Sequence, residues 1–328
     1  MSLRHAPRQV VGADGLPLLG RFTGLAHGFD WSALAAPFAR GRWWRRFHHK
    51  RWHYAALTQG DIFCAVAIVD LGWTNTAFAY AFDRRARKVI ASFSQDGLPG
   101  LTARVGEHAA QDSHFRFLSN RIELRASGPG AYTLELRCHR FEIDASFGGG
   151  APVLLAVGAV DGGSVHATQK SGALALTGEV RVDGARFDLS GGVASFDYSN
   201  GLLARETAWR WASAHGPGLG FNLQAGYFGA NENALWLDDD LIALGEARFE
   251  FSSVDPLAPW RVWTVDGLLD LRFTPEGARA EDKDLLVAAS HYVQPIGTFD
   301  GAVKAGPQAP ARAVRQLVGV TEDHRSRW

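Results

Sequence analysis

Residues 131–147 read AYTLELRCHRFEIDASF. In the first half Tyr132, Leu134, Leu136 and Cys138 occupy every second position, and in the second half Phe141, Ile143, Ala145 and Phe147 do the same. Successive side chains of a strand point to opposite faces, so this period describes two strands with one buried face each. The pattern extends in both directions. Upstream, Ile122 and Leu124 alternate with charges in Arg121 to Ala126, and Ile62 to Val69 is a short apolar run of buried-strand length. Asn75 to Phe82 and Lys88 to Phe93 flank the polar turn Asp83-Arg84-Arg85-Ala86-Arg87, which predicts a hairpin. Downstream, Asp183-Gly184 separates Gly178 to Val182 from Arg186 to Leu189, and Asp266-Gly267 separates WRVWTV from LLDLRF. Asp-Gly between such segments signals a tight hairpin, because a type I′ turn needs positive φ. Asp238-Asp239-Asp240 is a further turn between apolar segments.

Strands at roughly ten-residue spacing predict an all-β chain of at least about twelve mostly antiparallel strands closing into barrels. A short helix is expected only around Trp31 to Phe38, in an irregular lead-in over residues 1–40. The chain has 328 residues, long for one domain and comfortable for two. The GGG and DGG clusters within residues 148–172 mark the expected junction, giving one half over 1–165 and another over 166–328.

Thirty-four basic residues balance 34 acidic ones, which argues against a general nucleic-acid or anionic-membrane binder. Two widely spaced cysteines, Cys64 and Cys138, fit a reducing compartment better than a disulfide framework. The first twenty residues lack an apolar signal-peptide core, and the longest apolar runs, such as Ala151 to Val160, are too short for a membrane span. The expectation is a cytoplasmic protein that is not an integral membrane protein. No P-loop, GxGxxG, HExxH, paired CxxC or GxSxG motif is present, and no cofactor or metal site is expected.

Several segments in consistent order are similar to a bacterial family known as DUF2804, a domain of unknown function. They include KRWHYAAL (50–57), ATQKSGALALTGEV (167–180), FDYSNGLLARETAWRWASA (196–214), GFNLQAG (220–226), PWRVWTVDGLLDLRFTP (259–275), YVQPIGTFDG (292–301) and GVTEDHRSRW (319–328). More distantly the chain resembles carotenoid 1,2-hydratases, AttH-like proteins and fungal pericyclases. That resemblance implies two lipocalin-like antiparallel barrels in tandem, with an apolar ligand cavity in or between them.

Candidate site residues follow. Asp197, at the end of an alternating strand, shares a face with Val193 and Ser195. An acid projecting into an apolar cavity has its pKa raised and can protonate an alkene or orient water. The resembled hydratases carry an Asp at a similar position followed by Trp-x-Trp, matched here by Trp209 and Trp211. Ser195 stands where their pattern places a Tyr. The structural alternative is that Asp197 caps the Ser199-Asn200-Gly201 turn. Trp209 and Trp211 share a strand face and either line a ligand cavity or belong to a core. His53 is a candidate proton shuttle, or a structural strand histidine. Tyr54, on the opposite face from His53, and Tyr198, beside Asp197, are candidate ligand contacts. Asn222 and Gln224 either orient a ligand or face solvent, and the solvent-facing reading is preferred. His291, with Tyr292, is a candidate for a cavity mouth.

These features support three readings: binding of an apolar, lipid- or isoprenoid-like molecule; cofactor-independent hydratase, lyase or isomerase chemistry with Asp197 as acid or base; and docking on a membrane surface or nucleic acid through residues 42–53. That last segment holds five Lys or Arg, three His and three Trp. It is read here as a cationic rim at a cavity entrance, or as surface arginine stacked on tryptophan. Neutral overall charge leaves little long-range attraction, so no specific nucleic-acid binding is expected at physiological salt. A gel shift showing submicromolar, sequence-tolerant binding overturns that expectation.

Overall fold

The computed structural model describes residues 3–285 and 288–328. Among these, helical structure is limited to one α-helix, Arg42–His48, and one 3-10 turn, Trp31–Ala33, capped by Asp30 accepting from the Ser32 amide. The short helix expected near Trp31 to Phe38 is that single turn. No helix among the described residues is long and apolar enough to cross a membrane.

The strands form two antiparallel sheets, apart from a two-residue parallel pairing of Arg4–His5 with Gly20–Thr23. The first sheet runs Lys88–Gly97, Asn75–Asp83, Ile62–Asp70, His49–Gln59, Gly192–Leu202, Val165–Val182, Phe141–Gly148, Ala131–Cys138, Asn120–Gly128, Ser113–Phe117, Ala103–Arg104. The second runs Asp240–Ala243, Ala234–Leu237, Leu219–Gly226, Glu206–Gly216, Arg312–Arg327, Ala288–Val303, Leu269–Leu285, Trp260–Thr264, Ala247–Glu250. Each curls around its own apolar core, as the alternation predicted. Val66, Ile122, Leu134, Leu136, Ile143 and Phe196 fill the first, and Phe221, Leu223, Trp260, Leu271, Phe273 and Phe299 the second.

Both Asp-Gly sites turn the chain, but only the first has positive φ at both residues, as a type I′ turn requires. Asp183 and Gly184 both have positive φ, 51° and 86°, between the paired Val182 and Ala185. Asp266 accepts from the Leu268 amide and the Thr264 hydroxyl, and Gly267 takes φ 70°. The expected junction at residues 148–172 falls instead inside the first sheet. Its glycines, with φ of 126° at Gly149, 81° at Gly150 and 68° at Gly162, turn the chain between strands of one sheet. Gly192–Leu202 then inserts between Val165–Val182 and His49–Gln59, and the second sheet begins at Glu206.

Buried histidines set the acid limit of this fold; His53 and His166 show how, and burial lowers His49 and His215 as well. His53 lies inside the first core, its Nδ1 3.1 Å from Ser113 Oγ and its ring edge-on to Tyr132 and Tyr198. His166 packs against Phe228 with ring centroids 4.5 Å apart. Burial pushes His53 down to about 3; burial, with help from the Lys170 charge, does the same to His166. Below about pH 6.5 the unfolded chain takes up a proton on each that the folded chain refuses, so stability is lost as pH falls toward 3. For the pair this amounts to about 3 kcal/mol between pH 6.5 and 5. Urea titrations at those two pH values check it, and a His53→Phe variant should lose about 1.5 kcal/mol less than the wild type over that interval.

Candidate functional site

The two sheets face each other across a third apolar cluster that includes Tyr54, Phe63, Tyr80, Trp211, Ile296 and Val320. Beside it lies a cavity of about 300 Å³. Strand register explains its walls. In the first sheet Phe78, Ala67, Tyr54, Asp197 and Lys170 are successive partners across five strands, so all five side chains leave the same face. In the second sheet Gln224, Trp211 and Glu322 form one such row, and Trp209, His324, Tyr292 and Glu281 another. All of these line the cavity.

Lys170 anchors the polar end. Its ammonium pairs with the Asp197 carboxylate on the neighbouring strand and lies 3.4 Å from Glu232, in the loop after Leu219–Gly226 of the second sheet. Burial works against the charged lysine, but Asp197 and then Glu232 outweigh it and hold its pKa above the ordinary value. Glu232 is raised as well: burial lifts its carboxyl despite the pull of Lys170. Thr168 and Ser199 place hydroxyls 3.4 Å from Asp197. Asp197 therefore faces the cavity as the partner of a cation and not as an isolated acid on an apolar wall. It sits within the strand Gly192–Leu202 and does not cap a turn.

The opposite end is lined by Arg279, which lies over the rings of Phe78 (4.4 Å) and Tyr292 (5.2 Å) and pairs with Glu281 at 2.6 Å. Lys283 reaches Glu281 at 2.7 Å and Asp96 at 3.3 Å. Between the ends, Trp209 donates to Glu322 at 2.8 Å, Gln294 donates to its other oxygen at 2.7 Å, and Tyr54 meets Trp211 edge-on at 5.7 Å. Each cation in this wall thus has a carboxylate. Among the uncharged polar groups of the wall, the Gln224 amide, on a residue 2% exposed, and the Tyr54 and Tyr292 hydroxyls are buried without a hydrogen bond among the described residues.

The structure brings Asp197, Trp209, Trp211, Tyr54 and Gln224 to this one cavity. Gln224 corrects the expected solvent-facing reading, because the second sheet turns this face toward the first. Four other candidates lie elsewhere. His53 and Tyr198 alternate with Tyr54 and Asp197 and so point into the first core, where the Tyr198 hydroxyl donates to the Gly106 carbonyl at 2.9 Å. Asn222 is consumed structurally, accepting from Trp211 Nε1 at 2.7 Å and donating to the Glu232 carbonyl at 3.0 Å. His291 is exposed and pairs with Asp282 at 2.6 Å. Lys170 and Glu232 were not foreseen. Lys170 carried one signal, a lone cation in the strand segment HATQKSG; Glu232, in a loop, carried none.

Truncating Lys170 leaves two carboxylates facing each other without a cation, so Lys170→Met should cost about 3–5 kcal/mol. Adding Asp197→Asn and Glu232→Gln should recover most of it, as read by urea unfolding near pH 7; a single variant as stable as the wild type refutes the linkage.

Comparisons place this architecture among solved structures of similar fold. An AttH-like protein from Nitrosomonas europaea superposes with TM-score 0.52 at 14% identity over 89% of this chain and 96% of that one. Kievitone hydratase from Nectria haematococca gives 0.53 at 10% identity over 100% and 98%. CghA, in a structure with Sch210972, gives 0.58 at 11% identity over 99% and 97%. No curated protein matches the sequence. The family model described as domain of unknown function DUF2804 matches residues 4–328, and the chain belongs to that family.

Proposed function

We propose that the inter-sheet cavity binds an uncharged, largely apolar small molecule carrying a hydrogen-bonding group. The observation that carries this reading is the Gln224 amide, buried in an aromatic cavity with neither its nitrogen nor its oxygen partnered. A buried unpaired amide is costly, and a ligand group that donates and accepts there removes the cost. The paired charges of the wall argue against an ionic ligand, since none is left to neutralise one. A volume of about 300 Å³ lies at the small end of ligand pockets. The kinship in fold with a hydratase, and with CghA, agrees with a small-molecule site but does not name the molecule.

A second reading is supported by Glu232. Within reach of one cation stand an ion-paired carboxylate, Asp197, and a carboxyl raised by burial, Glu232. Two such groups in unlike environments suit cofactor-independent acid–base chemistry on an alkene: Glu232 gives up the proton and Asp197 orients water. On that reading Asp197→Asn abolishes turnover of the bound molecule while binding stays nearly intact, at some cost in stability because Lys170 keeps only Glu232 as its counter-ion. On the binding reading alone it shifts affinity modestly.

Native mass spectrometry of protein purified without denaturant should show a co-purifying small molecule, lost in the cavity-filling variant Ala67→Trp. Gln224→Leu should stabilise the empty protein by about 1–3 kcal/mol while weakening binding of a ligand with a polar group. An empty wild type that also fails to take up a neutral probe such as N-phenyl-1-naphthylamine sinks the proposal.

A further inference from the structure

The cation-rich segment singled out in the sequence finds no role inside the cavity, yet it is built onto the cavity's entrance. The helix Arg42–His48 contains three arginines, two tryptophans and a phenylalanine, and residues 40–53 contain no carboxylate. Its C-terminal end is fastened to the turn that follows Ile62–Asp70. Lys50 donates to the carbonyls of both Phe47 (2.8 Å) and Leu71 (2.9 Å), and Gly72 sits so close to the Arg46 carbonyl that a Cβ there would fall 2.4 Å from it. Burial pushes Lys50 down to about 7, opposed by Asp70. The same turn is tied to the next one: Thr74 Oγ1 donates to the Gly97 carbonyl at 3.3 Å and Asn75 Nδ2 to the Leu98 carbonyl at 2.8 Å. Leu71, Trp73 and Thr74 from the first of these turns, and Asp96 at the end of Lys88–Gly97, line the cavity.

These three linked segments present apolar side chains to water. Trp43 is 67% exposed, Phe47 55%, Leu98 50% and Leu101 79%. Large apolar side chains beside Arg42 and Arg46, next to a ligand entrance, ask for an occupant that is apolar within and negative at its surface; Arg45 is instead engaged by the Arg40 carbonyl and faces Asp30. We propose that this rim docks on an anionic lipid bilayer, Trp43, Phe47, Leu98 and Leu101 entering the acyl boundary while Arg42 and Arg46 meet lipid phosphates. Docking stands on the surface alone; that it delivers an apolar molecule from the bilayer into the cavity rests on the binding reading above. Overall neutrality does not oppose it, because attraction to a charged surface acts within about a Debye length and is set by the local cluster. The two turns and the helix also differ from a nucleic-acid groove in offering aliphatic side chains, which do not stack on bases as aromatic rings do.

The test is co-sedimentation of the full chain with phosphatidylcholine vesicles containing about 30% phosphatidylserine, against pure phosphatidylcholine. The wild type should sediment with the mixed vesicles at low salt and be released as salt rises. Trp43→Ala with Phe47→Ala, and separately Arg42→Gln with Arg46→Gln, should weaken that binding by about tenfold or more. Failure of the wild type to bind, binding unchanged in both double variants, or tighter binding to single-stranded RNA than to vesicles overturns the proposal. Solution affinity for N-phenyl-1-naphthylamine is measured on the same proteins. Probe binding equal to wild type in both double variants shows that the cavity is intact and the defect is in docking. Vesicle binding by a wild type that takes up no probe supports docking and removes only the delivery clause.

Discussion

The Lys170 ammonium is the point on which the two sheets agree. It leaves a strand of the first sheet, pairs with Asp197 on the adjacent strand, and reaches Glu232 in a loop of the second. Apolar contact alone holds two curled sheets together without fixing their relative register, because a hydrophobic surface is indifferent to small slides. A buried charge is not indifferent. Moving the second sheet by a few ångströms strands Glu232 or Lys170 in a water-poor space, at a cost of several kcal/mol. Bonds at the other end add to the constraint: the Arg84 guanidinium holds both Glu276 oxygens at 2.7 and 2.8 Å, and Arg279 of the second sheet lies over Phe78 of the first. With both ends fixed, the space between cannot collapse, and the cavity is what remains.

That arrangement also explains why the walls are polar in pairs. Each sheet has its own filled core, so the outward face of each would ordinarily meet water and carry charge. Here two such faces meet, and the charges persist as partners: Lys170 with Asp197 and Glu232, Arg279 with Glu281, Lys283 with Asp96. The aromatic rings between them, from Trp52 to Trp209 and Trp211, supply the apolar surface. The cavity is thus neither a barrel interior nor a surface groove, which is why it combines dense aromatic lining with ion pairs.

This distinction marks how much the sequence disclosed. Alternation in Ala131 to Phe147 identified strands and their shared faces, and the same period elsewhere put Asp197 on a face with Val193 and Ser195 and His53 opposite Tyr54. It could not say which face belongs to a barrel core, since an inter-sheet wall and a core are both buried and both tolerate aromatics. Tyr198 and His53 were therefore grouped with a site they face away from. The junction was misplaced for a related reason: glycine clusters at 148–150 and 162–163 signal a turn, and a turn within a sheet looks locally like a linker between sheets. Lys170 was hidden because its partner Asp197 is 27 residues away, and only register joins them. The Trp pair was legible because both residues lie on one short strand, where the period alone fixes a common face.

Gln224 shows how a site can be recognised from what its surroundings fail to provide. Its neighbours on the strand, Asn222 and the backbone around it, are fully engaged: Asn222 links Trp211 to the Glu232 carbonyl, and the Gln224 amide nitrogen of the backbone donates to Asn233 at 2.6 Å. The local polar network is therefore complete up to the Gln224 side chain and stops there. A residue retained only for packing at that position gains nothing from an amide, because leucine fills similar space without two unmet hydrogen bonds. The Tyr54 hydroxyl, unpartnered on the facing sheet and separated from Gln224 by the Trp211 ring row, repeats the omission. The first sheet presents the Tyr54 hydroxyl, and the second the Gln224 amide and the Tyr292 hydroxyl, all unsatisfied, to the same aromatic space. Stability is lower on both sides of the cavity than either sheet requires, and a molecule that bonds to both recovers that deficit on binding.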